Sequence, residues 1–243
     1  MSNTADEQFD GMIERSSLGT AGARQLRQRT PQPSIDEVRR LQRDQRAMSA
    51  EQRLADRRER LITAAYILFA EPGFHATTIE RLCAAARMSN RAFYECFASR
   101  EDLLREVYER CVTDTFASMS QAMEKAPPTI EARVVAAVEQ YVRFVTADAR
   151  RARIMHLEVT RAGFALYGPR QRAVATFAHL IEEAVGELQG TPGDLHLFAL
   201  GLSGVIQELL VEWMLDTRPP LIELMIDTAS HMFLASVGAS RTN

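Results

Sequence analysis

The sequence predicts an all-α fold: an N-terminal three-helix helix-turn-helix domain followed by a C-terminal helical bundle. Three observations carry this. From about residue 49 onward apolar residues recur at the 3.6-residue interval of helices, and no segment alternates as a strand does. Ser and Thr stand where the periodic stretches begin, and Pro or Gly marks most of the breaks between them. Two short helical patterns, opening at Thr77 and Ser89, are joined by a tight turn.

Taken in order, residues 1–33 lack periodicity and are rich in Ser, Thr, Gly, Gln and Arg, the composition of a flexible tail. Ser34 and Glu37 have capping-box spacing and open a short helix to about residue 47. A second capping box, Ser49 with Gln52, opens a helix carrying Leu54, Leu61, Ile62, Ala65, Leu68 and Phe69, which Pro72-Gly73 ends. Thr77 caps the next helix, with Glu80 reaching back, and Ile79, Leu82, Cys83 and Ala86 face inward. Ser89 caps a short helix with Phe93 and Phe97 at i, i+4, and Ser99 caps a longer one with Asp102 at the box position.

Pro127-Pro128 interrupts the pattern, and helices are then predicted near 129–147, 150–166, 169–189, 192–215 and 219–237. Pro169, Pro192 and Pro220 stand at or near first turns, where a missing N–H costs nothing, and Gly190 and Gly238 follow two of the ends. The expected organisation is 1–48 as a flexible Arg-rich extension, 49–105 as the helix-turn-helix domain and 106–243 as the helical bundle.

Composition narrows the function. Apolar residues make up 46% of the chain, enough for a real core, and the net charge of −3 excludes a surface coated in basic groups. Residues 1–105 hold 17 Arg against 15 acids, whereas residues 106–243 are acidic, a small asymmetry that allows a polyanionic partner at the front. The three Cys are odd in number and lack a C-x-x-C pair, which points to small buried residues and to neither disulfides nor a metal site. No stretch reaches about 18 uninterrupted apolar residues and no apolar leader begins the chain, so a cytoplasmic protein without membrane attachment is expected. The His residues offer only surface-type i, i+4 pairs with acids, and G-x-S-x-G, H-E-x-x-H and Walker patterns are missing. The expectation is a non-enzyme without metal or cofactor.

A helix-turn-helix needs a second helix slim enough for a major groove about 12 Å wide. It must expose polar groups at its N-terminal end while large apolar groups pin its other face. Ser89 to Phe97 meets this requirement: Phe93 and Phe97 point inward, and Asn90, Arg91 and Tyr94 point out. The chain here resembles the tetracycline-repressor-like (TetR) regulators. The match runs through Leu61-Ile62-x-x-Ala65, Leu68-Phe69-Ala70-Glu71-x-Gly73-Phe74, Thr77-Thr78-Ile79, Ser89, Phe93-Tyr94-x-x-Phe97 and Ser99 to Leu104.

The resemblance implies phosphate contacts for Thr78, Tyr94 and Arg100, and a base-reading stretch of Asn90, Arg91 and Ala92. Arg87 and Ser89 flank that stretch. Two positions depart from the family: Arg87 stands where the turn usually has Gly, and Leu82-Cys83 replaces the usual apolar-Ala pair. Arg87 therefore has to avoid or tolerate a positive φ.

In that family the rear helices dimerise and enclose an inducer. The segment 192–215 is apolar nearly all round, so it needs partners on every side. With Gly201, Ser203 and Gly204 as a small patch, and with Leu197, Leu200, Val205, Ile206, Leu209, Leu210, Met214, Leu221, Met225 and Met232, it makes a candidate homodimer seam.

A pocket is expected around Phe116, Met119, Met123, Tyr141, Phe144, Met155, His156, Val159 and Trp213, because deformable Met suits apolar ligands. Phe164 is a further candidate, and His156, Arg161, Tyr167 and Gln207 are polar groups that would orient such a ligand. The resulting expectation is a repressor that grips double-stranded operator DNA and is released by a small, mostly apolar effector. The alternative is a helix-turn-helix regulator whose rear domain binds a protein partner.

Overall fold

The computed structural model describes residues 35–185 and 195–239, and among these residues there are helices and no strands. Contacts divide the chain into Met1–Gln45 and Arg46–Asn243, and the candidate sites all lie in the second unit. The expected tail (1–33), the Ser34 cap, Gly190 and Pro192 fall outside the described residues.

Helix α1 (Ile35–Leu68) is continuous. The two helices expected on either side of Ser49 are therefore one, because neither Gly nor Pro stands near the join and Ser49 is tolerated inside the helix. The chain then turns through Phe69–Gly73, where Glu71 is extended (φ −144°, ψ 115°) and Gly73 takes φ 108°. That left-handed region is open to glycine without strain, which is why Pro72-Gly73 serves as the stop.

Next come α2 (Ile79–Ala86), α3 (Asn90–Cys96) and α4 (Arg100–Lys125). Ser89 and Ser99 cap α3 and α4 as expected, accepting from Ala92 N–H (3.3 Å) and Asp102 N–H (3.1 Å). The cap of α2 is Thr78 and not Thr77: Thr78 Oγ1 accepts from Arg81 N–H (3.3 Å). Thr77 is fully buried and its hydroxyl reaches the Leu68 and Gly73 carbonyls (2.8 Å each), so it pins the preceding turn instead.

The rear consists of α5 (Ile130–Thr146), α6 (Ala149–Arg153), α7 (Val159–Arg161), α8 (Tyr167–Val185), α9 (Leu195–Leu215) and α10 (Ile222–Ala239). The single helix expected at 150–166 is instead α6 and α7 joined by a π-helical turn, Ile154–Glu158, and followed by a 3₁₀ turn, Gly163–Leu166. Gly163 at φ 66° ends the α-helical part. Gly238 lies within α10 and is not its stop.

Helix α5 packs between α4 and α10, and α8 packs on α9. One continuous apolar core runs from Leu61 through Phe93 and Leu104 to Val138, Leu210 and Phe233. Cys83, Cys96 and Cys111 are buried in it as free thiols, and burial pushes Cys111 up to about 12. No helix among the described residues is long and apolar enough to cross a membrane.

Candidate nucleic-acid interface and rear cavity

The front site is built on two buried rings. Phe93 is fully buried and Phe97 nearly so, one helical turn apart, which fixes α3 by its inner face. Arg58 of α1 holds the end of α3: its guanidinium lies 4.2 Å from the Phe97 ring centre and donates to the Cys96 carbonyl and to Glu106 (3.3 Å). Arg57 pairs with Glu95 (2.8 Å), and Arg60 donates to the Ala86 and Arg87 carbonyls at the turn. Three arginines of the basic stretch before residue 61 therefore serve the joints of this module.

With its inner face fixed, α3 presents Asn90, Arg91 and Tyr94 to solvent. The Arg91 side chain is 91% exposed, bonded only at 3.3 Å to Glu95 one turn on, and Tyr94 is 59% exposed despite its bulk.

Arg87 adopts φ 53°, ψ 56°, the one non-Gly residue with positive φ among those described. The turn is thus the left-handed one that glycine would favour, and Arg87 takes it at a cost of about 1 kcal/mol. Its N–H and that of Met88 return to the Ala84 and Cys83 carbonyls (3.2 and 2.9 Å), closing the α2 end.

At the start of α2 Thr78 is exposed, and its hydroxyl accepts from the Arg81 N–H at the positive end of the helix. Its own N–H and Thr78 hold the Glu80 carboxyl below its ordinary range. Arg100 donates to the Thr77 carbonyl and lies 5.0 Å from the Phe74 ring centre. Arg81, which sequence reasoning missed, adds a third group here and donates to the Ala76 carbonyl (3.1 Å). Thr78, Arg81 and Arg100 thus share one edge, with the α3 face alongside.

The rear bundle is not filled. Between α4, α5, α8 and α9 lies a cavity of about 350 Å³, within the span of about 300–1,000 Å³ usual for small-molecule sites. Val112, Phe116, Met155, Phe177 and Ile206 form its apolar wall. Its polar wall carries Tyr108, Tyr141, His156, Arg170, Gln207 and Glu208.

Arg170 donates to Gln207 (3.2 Å), and Tyr141 Oη and His156 Nε2 are 3.2 Å apart. Burial, with help from the Arg170 charge, pushes His156 down to about 4, so the imidazole is neutral near pH 7. Burial also raises Tyr108 to about 12 and Tyr141 higher still. A second, wholly apolar space of about 30 Å³ adjoins through Tyr141, Phe177 and Ile206 and is walled by Met119 and Met123.

Residues 61–107 match the family described as "Bacterial regulatory proteins, tetR family". Residues 61–107 thus form a module similar to that of the tetR family. Over 100 residues, 41% of its length, it is 28% identical to the HTH-type transcriptional activator FasR of Mycolicibacterium smegmatis, and it spans 45% of that relative. The fatty acid degradation regulator FadR of Bacillus halodurans superposes with TM-score 0.64 at 18% identity, covering 73% of this chain and 94% of its own. The transcriptional regulator FadR of Bacillus subtilis, solved in complex with stearoyl-CoA, gives 0.63 at 15%, covering 73% and 98%. At such identities these structures speak for the fold alone.

Within the tetR-family module, the structure brings Thr78, Arg87, Ser89, Asn90, Arg91, Ala92, Tyr94 and Arg100 onto α2, α3, their turn and the start of α4. Of the rear residues expected from sequence, Phe116, Tyr141, Met155 and His156 meet at the larger cavity with Tyr167 and Gln207, and Met119 and Met123 at the smaller.

Five expected residues lie elsewhere. Phe144 is covered by the Arg151 guanidinium (3.9 Å), Val159 is buried in the core, and Trp213 packs part-buried against it. Phe164 is exposed and stacks on Tyr167. Arg161 bonds Glu158 (2.9 Å) and does not reach either cavity.

Sequence reasoning missed Tyr108, Thr115, Arg170 and Phe177. The available signal was Arg170 at i, i+4, i+7 with Val174 and Phe177, an arginine sharing an apolar stripe.

Proposed function

We propose that the chain is a ligand-responsive transcriptional regulator. The tetR-family module grips operator DNA, α3 enters the major groove with Asn90, Arg91 and Ala92 towards base edges, and Thr78, Tyr94, Arg87 and Arg100 meet phosphates. Ser89 holds the α3 start. The effector is amphiphilic: its apolar body lies along Phe116, Met155 and Phe177 and extends toward Met119 and Met123, and an acidic or carbonyl head meets Arg170, Gln207 and neutral His156. The stearoyl-CoA of the Bacillus subtilis neighbour is a molecule of this kind.

The observation that carries this reading is a part-open cavity with both apolar and charged walls in the same compact unit as an exposed helix-turn-helix face. A closed, packed rear bundle would have favoured a protein partner instead. A second copy of the chain covers the outer apolar face at the end of α9 and on α10, where Leu215, Leu221 and Leu224 are exposed; Leu200, Ser203 and Gly204, which the sequence placed in that seam, line the cavity. Ile206, Leu210 and Met225, which the sequence placed in that seam, are buried in the chain's own core. Such a dimer sets the two α3 helices one DNA turn apart, about 34–36 Å, or a multiple of it.

The test is to sequence genomic fragments captured by the purified chain, with and without a series of acyl-CoA thioesters and free fatty acids. Enrichment of a two-fold symmetric site that fades with one member of the series is expected. Capture without sequence preference would overturn the operator reading, and capture indifferent to every amphiphile would overturn the effector reading.

A further inference from the structure

A carboxylate sits where both halves of this mechanism meet. Glu158 is 1% exposed and belongs to the run Ile154-Met155-His156-Leu157-Glu158-Val159, in which every residue is buried. A buried carboxylate in an apolar run needs dedicated partners. Its partners lie in the tetR-family module: Oε2 accepts from the Phe74 N–H (2.8 Å), and the carboxylate rests so closely on Gly73 that an added Cβ there would stand 3.3 Å from it. Arg161 balances the charge through Oε1 (2.9 Å).

Three more bonds join the neighbourhoods of this segment and this turn. Arg153 Nε donates to the Ala70 carbonyl (3.0 Å), His75 Nε2 bonds the Arg161 carbonyl (3.0 Å), and Tyr66 of α1 donates to Asp148, the cap of α6 (2.9 Å). Yet Met155 and His156, three and two residues before Glu158, line the cavity. The extra residue of the π-helical turn lets one short stretch face the cavity and grip the module at once, and such turns recur at functional sites.

Beyond Phe74 the contacts continue to the DNA edge. The Gly73 carbonyl accepts from Thr77, and the Phe74 carbonyl and ring hold Arg100. Thr77 in turn precedes Thr78, the α2 cap.

We infer that Glu158 is a positioning residue through which occupancy of the rear cavity is read at the Gly73-Phe74 turn, and so at Thr78 and Arg100. This rests on the effector reading above and specifies its route: a ligand that displaces Met155 and His156 moves the π turn. Close packing of Glu158 on Gly73 leaves no slack to absorb that shift. The ligand acts only through its differential affinity for the two positions of the turn.

The experiment uses the full chain, a captured DNA fragment and 1-anilinonaphthalene-8-sulfonate, whose fused rings and sulfonate match the apolar wall and Arg170. The dissociation constant of this probe is measured by fluorescence with and without saturating DNA, a direct readout of coupling. In the wild type DNA changes it about ten-fold. In Glu158→Ala the change falls to less than about two-fold, while probe alone and DNA alone bind within about three-fold of wild type. Glu158→Gln, which keeps an acceptor for the Phe74 N–H, restores part of the coupling.

Arg153→Met, which removes the Ala70 bond at a part-buried position, lowers coupling as well and decides the matter if Glu158→Ala does not fold. Folded variants that keep the ten-fold change would overturn the role of Glu158 while leaving the effector reading intact. A wild type that binds the probe with no effect of DNA would overturn the effector reading, and this relay with it.

Discussion

The two ends of the compact unit are made of the same material and packed to different standards. In the tetR-family module Leu61, Phe69, Leu82, Phe93, Leu103 and Leu104 are all fully buried, and Arg58 and Arg60 bolt α1 to the ends of α3 and α2. In the rear, α4, α5, α8 and α9 carry equally regular helices yet enclose about 350 Å³, with methionines beside it and a π turn in its wall. A surface that reads DNA must keep its side chains in fixed register, which dense packing provides. A site that receives a ligand has to have space and has to yield. The difference teaches that helical periodicity locates a core but does not say whether it is full.

Truncation should expose that contrast most strongly. Phe93→Ala removes a fully buried ring and should cost about 3–5 kcal/mol in denaturant unfolding. Phe177→Ala enlarges an existing space from a part-buried position and should cost about 1 kcal/mol or less while changing which amphiphiles bind. Equal losses would mean that the rear is as tightly built as the front.

Acid should sharpen the comparison next. His156 is neutral in the folded chain because burial lowers it to about 4, against an ordinary value near 6.5. The unfolded chain therefore binds a proton first, and stability is lost as pH falls through about 6.5 until about 4, by about 3 kcal/mol in all. Relative to wild type, His156→Gln should gain over that window and show no pH-dependent gain above pH 7. A wild-type minus variant difference that is flat from pH 7 to 4 would place His156 in water.

On the front, Arg91→Ala should relax preference at one base pair by about 1–3 kcal/mol. Arg100→Ala should instead weaken all sequences alike and reduce the salt slope by about one. Relaxed preference from Arg100→Ala, with none from Arg91→Ala, would exchange their roles. The smallest effect is that of Arg87→Gly, which relieves φ 53° and should raise stability by about 0.5–1 kcal/mol.

Much of this was legible in the sequence, and unevenly so. Ser89, Phe93, Phe97 and Ser99 could be placed because capping and i, i+4 burial are local rules, satisfied within one turn of the chain. The Thr77–Thr78 choice was missed because it depends on the Leu68 and Gly73 carbonyls, which the turn before them positions. In the rear, Phe116, Tyr141, Met155 and His156 were found by residue type, but Phe144 and Trp213 are of similar type and pack elsewhere. What separates them is which helix face meets which neighbour, a long-range fact that periodicity does not contain. Glu158 shows the same limit: the Phe74 N–H that it accepts from is more than eighty residues away in sequence.

The central claim is that filling the rear cavity loosens the front face, and linkage gives it one direct measurement. The affinity of the full chain for a captured DNA fragment is titrated against increasing stearoyl-CoA, and the affinity for stearoyl-CoA is titrated against increasing DNA. The account predicts that each ligand weakens the other by the same factor, about ten-fold or more. It further predicts that Arg170→Ala shifts the stearoyl-CoA midpoint without altering DNA affinity in its absence. DNA affinity that stays constant while stearoyl-CoA saturates the cavity would contradict it.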